Sequence, residues 1–223
     1  MINDVLIISG CDSGYFPLLQ DLIASIRKSR NGSLPPFACF DCGLTENQRD
    51  WLIANDIKLA VPEDDLSLSA IDNDPAKWRP FTVRPFIPKY FPNYEIYVWM
   101  DADTWVQNWV CVEMYVAGAR RRGMAITQEV DRSYPFSAKQ LQWTYKNYSV
   151  AFGEAIAKQY SRFAMINCGV FSISRDAPHW NIWANQFQNA INNAGVNLQS
   201  AIGIDQVALN LVLYDQPHLS GPI

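Results

Sequence analysis

Residues 96–100 read Ile-Tyr-Val-Trp-Met, and the next three are Asp101-Ala102-Asp103. The run is short, β-branched and aromatic, with no polar residue alternating through it. A strand wet on one face alternates. One that does not is buried on both faces, as in a parallel sheet covered by helices. This feature points to an α/β chain. It also puts two carboxylates at the exit of a buried strand, where unpaired charge is costly. In open α/β sheets ligands sit at the carboxyl ends of parallel strands. Two hard oxygen donors there suit Mg²⁺ or Mn²⁺, ions that commonly hold phosphates. A lone Asp-x-Asp also fits a strand end whose aspartates cap the following turn.

The flanking sequence alternates as such a sheet requires. Residues 5–9 form a short apolar strand, followed by the turn residues Gly10-Cys11-Asp12-Ser13-Gly14-Tyr15. Pro17 opens a helix with Leu18, Leu19, Leu22, Ile23 and Ile26 at helical spacing. Residues 37–41 read as a second strand. Thr45 and Gln48 make a capping box heading a helix to about residue 55, and residues 57–61 are a third strand. This order predicts parallel strands joined by right-handed crossovers. The loop after the first strand has neither a P-loop nor a dinucleotide fingerprint. Residues 62–92 are proline-rich and irregular, ending in a short helix over 84–90. Beyond the aspartates, 110–122 reads as helix, 124–127 as strand, and 131–162 as helical and aromatic. Residues 164–174 are a strand interrupted by Gly169, which suggests a bulge or a close backbone approach. Residues 178–194 are an amphipathic helix with Trp180, Trp183, Phe187 and Ile191 on one face, and 205–214 are the last helix. The expectation is one domain, with residues to about 105 directed at a nucleotide and those from 106 onward at an acceptor.

Charge and cysteine content narrow the function classes. A net charge of −4 and a pI of about 5.1 argue against nucleic-acid binding, which needs a basic face. Arg120, Arg121 and Arg122 precede Gly123 and read as a solvated helix end. Five cysteines without a secretory leader favour reduced thiols and a cytoplasmic location. Cys39-Phe-Asp-Cys42 lacks the second pair that zinc needs and sits in an extended stretch, so it reads as strand packing. No apolar run approaches the ~20 residues of a membrane helix; peripheral membrane contact stays open. Most of the tryptophans belong in a core, while Trp105, Trp109, Trp143 and Trp180 lie near polar loops and suit stacking on a sugar or base. Only His179 and His218 are present, which weighs against histidine-based catalysis.

Four features taken together resemble the GT-A fold glycosyltransferases, most closely the retaining, UDP-sugar-dependent type of family 8. They are the first strand with its Asp12/Ser13…Tyr15 loop, Arg84 upstream of the aspartates, the strand ending in Asp101-Ala102-Asp103-Thr104, and Asn167-Cys168-Gly169-Val170 followed by Asp205-Gln206 at a helix start. The resemblance spans nearly the whole chain. It implies a Rossmann-like, mostly parallel sheet flanked by helices and an enzyme moving a hexose from a UDP-sugar to a glycan or lipid-linked saccharide. Asp101 and Asp103 would hold Mn²⁺ (or Mg²⁺) against the diphosphate, with Ala102 between them and Asp103 also touching the ribose. Gly10, Cys11, Asp12, Ser13 and Tyr15 would hold uracil and ribose. Arg84 would neutralise the diphosphate or orient the sugar, and Asn167, Asp205 and Gln206 would line the donor sugar and acceptor. The leaving phosphate would take the acceptor's proton. The chain departs from the pattern where the family carries a later His-x-x-Gly-x-x-Lys-Pro segment. Here His218-Leu-Ser-Gly221 comes early, with no lysine after it, as in a truncated chain.

Plainer roles stand beside these. Arg84 fits a surface arginine, Asn167 a bulge residue, Asp205 an acid at a helix N-terminus, His179 a structural residue, and Asp64-Asp65 a solvated turn. Two other functions use the same motif. A haloacid-dehalogenase-like phosphatase has Asp-x-Asp after its first strand, followed by a lysine and an acidic pair. A non-catalytic sugar-nucleotide or glycan binder would keep the donor site without turnover.

Overall fold

A computed structural model describes residues 4–68, 78–130, 137–195, 203–216 and 219. These carry a six-stranded sheet in the order β3-β2-β1-β4-β6-β5. The strands are β1 (Val5–Cys11), β2 (Phe37–Asp41), β3 (Lys58–Ala60), β4 (Ile96–Met100), β5 (Met124–Gln128) and β6 (Ile166–Ser174). β1 is parallel to both β2 and β4, β2 is parallel to β3, and β6 runs antiparallel to β4. The sheet is therefore mostly parallel, as the alternating sequence pattern predicts. β4 is buried along its whole length, as its unbroken apolar run requires.

The chain forms two compact units, each assembled from separated stretches. The first takes in Met1–Asp65, Ala76–Ala125 and Gly169–Ala177; the second takes in Leu66–Pro75, Ile126–Cys168 and Pro178–Ile223. In the first, α1 (Phe16–Ser29), α2 (Glu46–Ala54) and α5 (Trp109–Arg122) cover one sheet face, burying Leu19, Leu22, Ile26, Leu52 and Val112 against Val5, Ile7, Ile96 and Val98. Thr45 and Gln48 close the capping box at the head of α2. Gly123 ends α5 in a left-handed conformation, leaving the arginine run as its last turn. Phe40, Tyr97, Trp99 and Phe171 are buried aromatic residues of the sheet. Trp99 and Phe171 stack with centroids 6.4 Å apart.

The helix expected over 84–90 is broken. Arg79–Thr82 forms α3, Arg84–Phe86 is a 3₁₀ turn and Ile87–Tyr90 forms α4, each with a proline in its first two positions. Proline lacks an N–H and starts a turn more readily than it continues one, so Pro80, Pro85 and Pro88 segment the stretch. Asp65 also differs from the solvated turn read from sequence. Its side chain is 5% exposed and accepts from Lys89 Nζ at 2.6 Å and from the Tyr90 hydroxyl.

In the second unit, α6 (Ala138–Phe152), α7 (Glu154–Tyr160), α8 (His179–Ala194) and α9 (Ile204–Asp215) pack together. Trp180, Trp183, Phe187 and Ile191 of α8 are all buried, as their spacing predicts. Trp180 is thereby a core residue, Trp109 is buried in the core of the first unit, and Trp105 and Trp143 are exposed. Among the described residues no helix is long and apolar enough to cross a membrane.

Candidate active site

The chain leaves β1 toward β2 and β3 on one side, and β4 lies on the other. That reversal is a topological switch point, and it opens a crevice at the carboxyl ends of β1 and β4. A cavity of about 300 Å³ sits there, lined among others by Gly10, Cys11, Asp12, Tyr15, Arg84 and Asp101–Asp103. Of the first-loop residues expected from sequence, Gly10, Cys11, Asp12 and Tyr15 thus share one place with the Asp-x-Asp, whereas Ser13 is not among the residues lining it.

The loop is shaped by its own polar atoms. Asp12 Oδ1 accepts from the backbone N–H of Gly14 at 2.9 Å and of Tyr15 at 3.0 Å, turning the chain into α1. Ser13 N–H donates to the Gly43 carbonyl, and Gln48 Nε2 donates to the Ser13 carbonyl. Asp12, Ser13 and Tyr15 remain exposed. Gly10 is a close approach: a first side-chain carbon there would lie 3.1 Å from Phe40 Cβ and 3.3 Å from Trp99 Cη2.

Asp101 is held at several points. Its Oδ1 accepts from Arg84 Nη2 and from Trp99 Nε1, each at 2.7 Å. Its backbone N–H donates to the Gly169 carbonyl, and its own carbonyl accepts from the N–H and hydroxyl of Thr104. Arg84 is no surface arginine. It is 5% exposed, with its guanidinium carbon 5.3 Å from the Trp99 ring centre and 5.8 Å from that of Phe81. A buried guanidinium stays charged and needs a carboxylate. Asp103 is exposed and makes no hydrogen bond or ion pair among the described residues.

This donor set fits a divalent cation. Asp101 Oδ2 and the Asp103 carboxylate are anionic oxygens lining the same cavity, and neither is consumed by a protein donor among the described residues. Among those residues no third His, Cys, Asp or Glu joins them. That suits Mg²⁺ or Mn²⁺, which take one or two carboxylates and complete their shell with water and phosphate. His218 lies outside the described residues.

Asn167, Asp205 and Gln206 belong to a second polar cluster, within the second unit, centred on a residue that sequence reasoning missed. Glu129 Oε1 accepts from Asn167 Nδ2 at 2.7 Å and from Gln206 Nε2 at 3.1 Å, and Oε2 accepts from Gln140. The Cys168 thiol lies 3.4 Å from Asp205 Oδ2 and 3.5 Å from Gln206 Oε1. Asp205 is 3% exposed, and its carbonyl accepts from Trp183 Nε1. It is therefore more than an exposed acid at a helix end. Glu129 directly follows β5, as Asp101 follows β4, and that position was the available signal.

The surroundings of Cys39 and Cys42 disfavour the thiolate form. The hydrogen bond to Cys11 and burial push Cys39 well above the ordinary thiol range, and burial pushes Cys42 up to about 12. This agrees with the packing role read from sequence. All five cysteines are free.

The sequence matches no protein-family model, and no curated protein matches it. Solved structures do resemble its architecture. The galactosyltransferase LgtC, solved with donor and acceptor sugar analogs, superposes with a TM-score of 0.57 at 14% identity, over 85% of this chain and 70% of that one. Mouse xyloside xylosyltransferase 1, in its apo form, gives 0.54 at 11% identity, covering 97% and 83%. The bifunctional glycosyltransferase WbbM gives 0.57 at 12% identity, covering 88% of this chain and 38% of WbbM. Identity this low carries only the architecture: the chain has the GT-A fold of these glycosyltransferases.

Proposed function

We propose that this protein is a glycosyltransferase that moves a hexose from a UDP-sugar to a hydroxyl of a glycan or lipid-linked saccharide with the help of a divalent cation. The observation that carries this reading is the crevice between β1 and β4. There two carboxylates and a buried arginine meet the first-strand loop in a cavity of about 300 Å³, on the GT-A fold. Cleaving the bond between the anomeric carbon and the diphosphate leaves negative charge on the departing group, and catalysis requires that charge to be met where it develops.

Asp101 and Asp103 would hold Mn²⁺ or Mg²⁺, which when bound supplies positive charge beside the diphosphate. Arg84, kept in place by Phe81, Trp99 and Asp101, adds a fixed cation. The loop from Gly10 to Tyr15 presents backbone and exposed polar side chains to the nucleoside, and Tyr15 offers an aromatic face. Asn167, Asp205 and Gln206 are assigned to sugar contacts, because amides and carboxylates suit an anomeric carbon that gains positive charge. Glu129 holds two of them in orientation. Retention of configuration, with the departing phosphate accepting the acceptor's proton, is part of the same proposal and rests on resemblance to family 8.

The test is a thermal-shift panel of UDP, GDP, ADP and UDP-sugars, each with and without Mn²⁺. A ligand that binds only the folded state raises stability by RT ln(1 + [L]/Kd), about 2.7 kcal/mol at a hundred times Kd. Stabilisation by UDP that requires Mn²⁺ is the expected outcome. Stabilisation by UDP-sugar with no turnover of any acceptor points to a binder. Stabilisation by phosphate analogues alone points to a phosphatase.

A further inference from the structure

We propose that Trp99 is a positioning residue for the metal carboxylate. Its indole N–H acts with Arg84 to occupy Asp101 Oδ1, so that Oδ2 would be the oxygen left for a cation. The inference rests on the donor reading above and extends it to a residue that touches neither metal nor nucleotide in that scheme.

Trp99 and Asp101 are two positions apart at the end of β4, and strand geometry points such side chains to the same side. That places the indole N–H 2.7 Å from Asp101 Oδ1. Arg84 Nη2 reaches the same oxygen at the same distance. An oxygen taking two donors, one of them charged, has little lone-pair density left. The carboxylate is therefore not free to rotate or to chelate through both oxygens.

The indole itself cannot drift. It is 1% exposed and lies against Phe171, Phe40, the Arg84 guanidinium and the backbone of Gly10. One side chain thus joins the nucleoside loop, the buried cation and the metal carboxylate. Partners that orient a metal ligand in this way typically account for a 10–100-fold difference in metal affinity.

Two replacements at Trp99 isolate the N–H. One is Trp99→Phe. The other introduces β-(3-benzothienyl)alanine, which keeps the bicyclic shape and puts sulfur where the N–H was. Mn²⁺ affinity is read from the free-ion EPR signal in the presence of UDP. We expect both replacements to weaken Mn²⁺ binding tenfold or more. Phe171→Leu, which loosens the ring stack and leaves the N–H, stays within twofold although its Tm falls. If Trp99→Phe does not fold, the isosteric replacement decides. Wild-type affinity in the Trp99 replacements, or equal weakening by Phe171→Leu, overturns the positioning role and leaves the donor reading standing. No Mn²⁺ uptake by the wild-type protein with UDP overturns both.

Discussion

Replacing each aspartate of the pair by asparagine separates their roles, because the structure gives them different partners. Asp101→Asn removes the charge that Arg84 faces across 2.7 Å while keeping an acceptor for both donors. A hydrogen bond to a charged group contributes about 1.5–3 kcal/mol and a neutral one about 0.5–1.5. Asp101 is 31% exposed on its side chain, which screens the pair, whereas Arg84 is 6% exposed and loses the carboxylate charge that Asp101 sets beside it. The expected loss is about 2 kcal/mol, a Tm lower by roughly 4–8 °C in a chain of this length. Asp103→Asn touches an exposed side chain and should move stability by no more than about 0.5 kcal/mol. The two should converge in ligand binding. At a hundred times Kd, UDP with Mn²⁺ adds about 2.7 kcal/mol to the wild type, a rise of roughly 5–11 °C. A hundredfold weaker site retains about 0.4 kcal/mol, or ~1–2 °C, at the same concentration. Differential scanning fluorimetry with and without ligand reads both quantities. An Asp101→Asn protein that melts like the wild type and keeps its Mn²⁺-dependent UDP shift would refute the geometry and the metal assignment together.

Three further outcomes follow from other parts of the chain. Gly10→Ala places a carbon 3.1 Å from Phe40 Cβ and 3.3 Å from Trp99, so urea denaturation should show a loss of about 1–3 kcal/mol, with weaker UDP binding as the ring shifts. Burial opposes ionisation of Asp41, but the Arg49 guanidinium and the N–H groups of Leu44 and Gly43 outweigh it and hold the carboxyl below the usual range. Its stabilisation is then present above the unfolded value of about 3.9 and is lost as pH falls through the folded value, so Asp41→Asn should weaken the fold at pH 7, with the gap to wild type narrowing as pH is lowered below about 3.9. Of the five cysteines only Cys111 is exposed, and Cys42 is pushed up to about 12, so iodoacetamide at pH 8 should label one site per chain, confirmed by peptide mass mapping.

How far the site could be read from sequence depended on whether its signal was local. Asp101 and Asp103 stood out because the strand before them is wholly buried, so charge at its end contrasts with everything upstream. Glu129 holds the same position after β5, but that strand is only partly buried, and a carboxylate after Met-Ala-Ile-Thr-Gln looks like ordinary surface. Its partners come from positions 140, 167 and 206, and no periodicity links residues so far apart. Arg84 shows the same limit. Resemblance picked it out, yet it is buried against Trp99 and Phe81 in a stretch where Pro85 and Pro88 break the expected helix over 84–90 into separate turns. Strand direction was also hidden, since an apolar run reads alike in both directions and β6 turns out antiparallel to β4. That pairing has a consequence at the site. It sets Met100 opposite Val170 and so leaves the Gly169 carbonyl to accept the Asp101 N–H, fixing the backbone from which the first carboxylate projects. The glycine that sequence marked as a bulge or close approach is therefore part of what aims Asp101, and no residue near the aspartates in sequence could have shown it.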